Sequence, residues 1–112
     1  MLLELKPQLQ KRLNVDSQEI VEFCQHWNIT ELALFGSVLT DQFQSNSDID
    51  VLIRFAPDTP QGLLTLARIK YQLESLFGRE VDVVVKEAIE HSENWIRRHE
   101  ILKTATVIYE KR

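Results

Sequence analysis

The sequence predicts an α+β fold of two layers, with helices packed on one mixed sheet. Three observations lead there. Short apolar or alternating runs of strand length recur at 30–35, 48–55 and 80–86. Longer stretches with apolar residues at helical spacing lie between and around them. Strands separated by helices bury their apolar faces best as a sheet covered by helices. Periodicity leaves the strand order open.

Residues 2–13 read as a helix with Leu2, Leu3, Leu5, Leu9 and Leu13 apolar, although Pro7 removes an N–H from its interior. Asp16 or Ser17 resembles the N-cap of a second helix, whose apolar face is Ile20, Val21, Phe23, Cys24 and Trp27. Thr30 to Phe35 suits a buried strand, ended by Gly36-Ser37. Asp48 to Phe55 largely alternates and predicts a second strand. After the turn from Ala56 to Pro60, Thr59 and Pro60 look like the N-cap and first residue of a helix reaching about Phe77. Its apolar residues are Leu63, Leu64, Leu66, Ala67, Ile69, Leu73 and Leu76, and Gly78 stops it. Glu80 to Lys86 predicts a third strand, and about Glu93 to Lys103 another helix. Thr106 to Tyr109 reads equally as a short strand or as continued helix.

A chain of 112 residues suits a single domain spanning 1–112, with one modest core and no separate substrate domain. Met1-Leu2-Leu3 is followed at once by Glu4, Lys6 and Gln8, unlike a signal peptide, and no apolar run is long enough for a membrane span. A cytoplasmic location is expected. The lone Cys24 cannot form an internal disulfide, and no Cys/His cluster has metal-binding spacing. The net charge of -4 argues against direct nucleic-acid binding, which needs a basic surface. An acidic chain can still take a nucleotide if a divalent ion neutralises the phosphates, and it can dock on a basic protein.

The acids occupy unusual places. Alternation in Asp48-Ile49-Asp50-Val51-Leu52-Ile53 puts Asp48 and Asp50 on one face, while Ile49, Val51 and Ile53 enter the core. Asp82 interrupts the otherwise apolar Val81-Asp82-Val83-Val84-Val85. If these strands are neighbours, three carboxylates converge. Such a group destabilises itself until a cation arrives, and hard oxygen donors suit Mg²⁺ or Mn²⁺. Two such ions about 3.5–4 Å apart can hold the attacking and leaving oxygens of a phosphoryl displacement. Upstream, Gly36 allows a phosphate close to the backbone, and Ser37 adds a hydroxyl donor. Together these residues describe a nucleoside triphosphate site.

Leu34-Phe35-Gly36-Ser37, a ten-residue gap and Asp48-Ile49-Asp50 resemble the signature of the polymerase-β nucleotidyltransferase superfamily. Gly78-Arg79-Glu80-Val81-Asp82 resembles its third-carboxylate strand, and the short chain with its Val107-Ile108-Tyr109-Glu110 ending looks like the minimal nucleotidyltransferases, the MNT antitoxins. The resemblance implies the nucleotidyltransferase fold, with Asp48 and Asp50 holding metals. It implies that Asp82 completes the second metal site and helps deprotonate the attacking hydroxyl, and that Gly36 and Ser37 hold the triphosphate. It further implies transfer of AMP from ATP to a tyrosine hydroxyl of a partner HEPN ribonuclease toxin, which is thereby neutralised. Many relatives carry a basic residue soon after Gly-Ser. This chain has Val38, Leu39 and Thr40, which leaves Arg54, Arg68, Lys70 or Arg79 to offset phosphate charge.

Two other readings stay open: an antitoxin that acts by binding alone, and a transferase for a small molecule. Elsewhere, Cys24 reads as a small core residue, and Trp27 and Trp95 as packing residues. His26, His91 and His99 lack ligand spacing, and Arg97-Arg98 reads as a solvated helix face.

Overall fold

A computed structural model describes residues 7–111. Leu2, Leu3 and Leu5, assigned above to the first helix, lie outside the described residues. Helix α1 (Pro7–Leu13) turns Leu9 and Leu13 inward. Helix α2 (Ser17–His26) starts at Asp16, which accepts from the Gln18 amide while Glu19 reaches back to the Asp16 N–H. This capping box satisfies amides that the first turn leaves unpaired. Asp16→Ala should therefore lower the urea midpoint by an amount equivalent to about 1 kcal/mol, with the slope of the transition unchanged.

Four strands form one mixed sheet in the order β3-β2-β1-β4. Strand β1 (Ile29–Phe35) lies between β2 (Ile49–Phe55) and β4 (Thr106–Glu110), antiparallel to both. Strand β3 (Val81–Val85) runs parallel to β2, reached through helix α3 (Leu63–Phe77). The ambiguous C-terminal segment is thus a strand, because β1 offers it an unpaired edge and its β-branched residues suit a pleated surface.

Most of the core lies between one sheet face and the first three helices. Leu13, Ile20, Phe23, Cys24, Ile69, Leu73 and Phe77 meet Leu32, Leu34, Ile49, Val51, Ile53 and Val81. Cys24 is fully buried, which pushes its thiol up to about 12, so it packs as a small apolar residue. A smaller cluster sits on the other face. There Ala33, Phe35 and Leu52 pack with Ile89 of helix α4 (Lys86–Glu90) and Ile101 of helix α5 (Trp95–Thr104).

The structure corrects three sequence expectations. Helix α3 begins at Leu63, capped by Gly62, and not at Pro60. The turn runs on because Asp58 adopts a left-handed φ of 64°, which leaves Leu63 and Leu64 exposed ahead of the inward-facing Ile69, Leu73 and Phe77. The third strand ends at Val85, since Lys86 opens α4, a five-residue helix too short to show a period. Trp95 does not pack: it is 65% exposed, because α5 buries only Ile101 near its far end. Among the described residues no helix is long and apolar enough to cross a membrane.

Candidate active site

Residues facing away from the main core are laid out in order along the sheet. On β2 they are Asp50, Leu52 and Arg54, with Ile49, Val51, Ile53 and Phe55 taking the core side. Asp50 pairs in register with Phe35 at the end of β1 and with Asp82 on β3. The middle is the small apolar cluster. The far end is ionic: Arg54 meets Glu90 at 2.8 Å and Glu87 at 3.7 Å, and Lys86 pairs with Glu31.

The parallel register therefore places Asp50 and Asp82 side by side on one face, as the sequence anticipates for neighbouring strands. Asp48 is the residue before β2 and is exposed, whereas Asp50 is half-buried. Burial, then the charge of Asp82, then that of Asp48, hold the Asp50 carboxyl above its ordinary value of 3.8. Among the described residues no three Asp, Glu, His or Cys side chains are drawn together into a finished cation cage. Like charges without a counterion stay apart. The donor set still fits a divalent ion, because hard carboxylate oxygens share one face and the ionised form of the central acid is under strain.

Strand β1 ends at Phe35, and residues Gly36–Leu39 form one 3-10 turn. Gly36 has a φ of 79°, and a Cβ there would run into the Asp50 carboxylate, 3.2 Å from Cγ. The glycine thus lets the backbone lie against the acid. Ser37 follows, half-buried, and its carbonyl accepts from the Thr40 amide at 2.9 Å and the Thr40 hydroxyl at 3.0 Å. The Ser37 hydroxyl makes no hydrogen bond to the described residues. The structure brings all five sequence-selected residues to one end of the sheet: Gly36, Ser37, Asp48, Asp50 and Asp82.

The cations proposed to replace a basic residue after Ser37 are placed differently. Val38 there is fully buried in the main core, so its position serves packing. Arg54 is engaged by Glu90 and Glu87 at the opposite end of the face. Lys70 binds Glu74 and the Val81 carbonyl. Arg68 lines a surface cavity on α2 and α3 with His26, Trp27 and Tyr71. Arg79 donates to the carbonyls of Gln44 and Ser47 at 3.0 and 2.9 Å. Sequence reasoning missed Arg12 of α1, which donates to the Val38 and Thr40 carbonyls, both at 2.7 Å. No local pattern announces it, since the partners are 26 and 28 residues away.

Comparison with known proteins identifies the family and the fold. Residues 18–105 match the family described as the nucleotidyltransferase domain. A Methanocaldococcus jannaschii protein assigned by name to the protein adenylyltransferases is 32% identical over 77 residues, covering 69% of this chain and 81% of its own length. A solved structure described as a minimal nucleotidyltransferase superposes with a TM-score of 0.62 at 28% identity, covering 80% of this chain and 86% of that one. A chain from the complex of a tri-AMPylated Shewanella oneidensis HEPN toxin with an MNT antitoxin superposes with a TM-score of 0.57 at 15% identity, covering 85% and 70%. At that identity the last comparison speaks for the fold.

Proposed function

The chain belongs to the nucleotidyltransferase domain family, and from that membership we propose that it transfers AMP from ATP to a protein hydroxyl, as the antitoxin of a HEPN-type toxin. The acceptor we favour is a tyrosine of that toxin. The observation that carries the reading is the contact of Gly36 with Asp50, which sets a phosphate-accessible backbone directly against the central carboxylate. The named protein adenylyltransferase relative and the AMPylated toxin of the structural neighbour support the choice of nucleotide and partner.

Asp48, Asp50 and Asp82 would hold Mg²⁺ or Mn²⁺, which supplies charge neutralisation to the triphosphate when bound. Gly36 and Ser37 would orient the phosphates, the glycine by its close backbone and the serine through its free hydroxyl. The acceptor oxygen attacks the α-phosphorus, the bond to pyrophosphate breaks, and the acceptor proton passes to Asp82. That carboxylate is exposed at the edge strand, open to a large incoming substrate. Catalysis is then mainly positioning and electrostatic stabilisation.

The test is transfer from labelled ATP to a purified HEPN partner, run beside a pull-down. Asp82→Asn should reduce transfer by at least about a hundredfold, the lower end for loss of a general base, while docking persists. Asparagine is nearly isosteric, so β3 should survive. A variant that transfers at the wild-type rate would remove Asp82 from the mechanism. One observation favours a second reading, neutralisation by binding alone: Arg54, Lys70 and Arg79 are each engaged elsewhere and none lies free to meet the phosphates. A wild type that binds the toxin yet transfers nothing with Mg²⁺ or Mn²⁺ would establish it.

A further inference from the structure

The segment Thr40–Asp48 joins the two halves of the candidate site, yet it contains no helix or strand. Its own hydrogen bonds are local turns: Gln42 N–H to the Thr40 hydroxyl, Gln44 N–H to the Ser47 hydroxyl and Ser47 N–H to the Gln44 carbonyl. Such bonds shape local turns but do not tie the segment to the rest of the fold. Two arginines from elsewhere do. Arg12 of α1 binds the carbonyls of Val38 and Thr40, just after Ser37. Arg79, in the turn between α3 and β3, binds those of Gln44 and Ser47, just before Asp48. Both guanidinium groups also lie over the ring of Phe43, Arg79 at 4.4 Å and Arg12 at 5.4 Å from its centre. Phe43 in turn packs on the main core.

We propose that Arg12, Phe43 and Arg79 form a clasp that fixes Ser37 and Asp48 relative to Asp50 and so sets the affinity for the metal–nucleotide. The inference rests on the function proposed above. None of the three touches the acids through any hydrogen bond or ion pair, so they are positioning residues. In each arginine one nitrogen, Nη1, donates to both carbonyls, while the flat guanidinium lies over the Phe43 ring; a lysine ammonium has no such plane to lay on the ring. Four carbonyls and the Phe43 ring offset the repulsion between the two cations. Asp50 is independently fixed by β2, so what the clasp adjusts is its partners.

The experiment compares wild type with Arg79→Lys, Phe43→Leu and Phe43→Tyr. Three quantities are measured: amide hydrogen exchange, thermal midpoint, and calorimetric affinity for Mn²⁺ with a non-hydrolysable ATP analogue. Arg79→Lys and Phe43→Leu should speed exchange in 41–48 while that of β3 is unchanged, and should weaken the affinity by roughly five- to tenfold, on the order of 1 kcal/mol. Phe43→Tyr keeps the ring face and should match wild type in all three. Faster loop exchange with unaltered affinity would overturn the proposal, leaving the clasp purely structural. Unaltered loop exchange would overturn it by showing that no clasp operates. A wild type that binds no metal–nucleotide would overturn the proposed function and the clasp's role together, an outcome distinct from the other two.

Discussion

Asp50→Asn should reduce AMP transfer by roughly a thousandfold or more, while making the unliganded protein more stable. Loss of transfer follows from removing the central carboxylate of the proposed metal-binding face, where several kcal/mol of charge stabilisation is at stake. The gain in stability follows from what holds Asp50 above its ordinary value: burial first, then Asp82, then Asp48. Because its folded value is raised, the folded state keeps the proton more readily than the unfolded chain. Stability is therefore lost as pH climbs from 3.8 through the folded value, and stays reduced at neutral pH. The amide escapes this cost. Melting curves without metal should place the variant roughly 2–5 °C above wild type at pH 7, with the difference vanishing toward pH 3. The variant should also lose most of the rise in midpoint that Mg²⁺ with ATP gives wild type. A variant less stable than wild type at pH 7 would contradict the electrostatic account of the site.

Gly36→Ala should damage both fold and site. At a φ of 79° an alanine costs about 1–2 kcal/mol of backbone strain. Its methyl would also displace the Asp50 carboxylate. The midpoint should fall by roughly 5–15 °C, and affinity for the Mg²⁺–nucleotide by more than about tenfold. Gly62→Ala is the matching control. Gly62 has a φ of -65°, no atom lies within 4 Å of the added Cβ, and the change should stay within roughly 0.5 kcal/mol. Equal effects at the two positions would show that neither the left-handed backbone nor the close approach to Asp50 matters at Gly36.

How much of this was legible beforehand follows from the range of each interaction. Asp48-Ile49-Asp50 could be read because strand alternation is a two-residue rule, and Gly36-Ser37 because the turn chemistry is local. The helix start at Asp16 or Ser17 was legible for the same reason, and the structure settles it on Asp16, with Glu19 completing the capping box. Asp82 could be singled out as a charge in an apolar run, but only the β2–β3 register shows that it faces Asp50. The start of α3 was misplaced because Thr59 and Pro60 are good helix openers in sequence, and nothing local reveals the left-handed Asp58. Trp95 misled because an aromatic usually packs, while the helix carrying it meets the sheet mainly through Ile101. The arginine clasp was out of reach: its bonds join residues 26 to 35 positions apart.

The position of β3 at the rim of the sheet has a second consequence. Val81-Asp82-Val83-Val84-Val85 is the kind of short, β-branched stretch that adds readily to another chain along an open border. Asp82 is its one charge, and an exposed charge on an outer strand discourages such self-templating growth. A single carboxylate thus opposes self-association, in addition to the catalytic role proposed for it. Exposed at the rim, Asp82 sets a charged side chain where the strand of another copy would have to add.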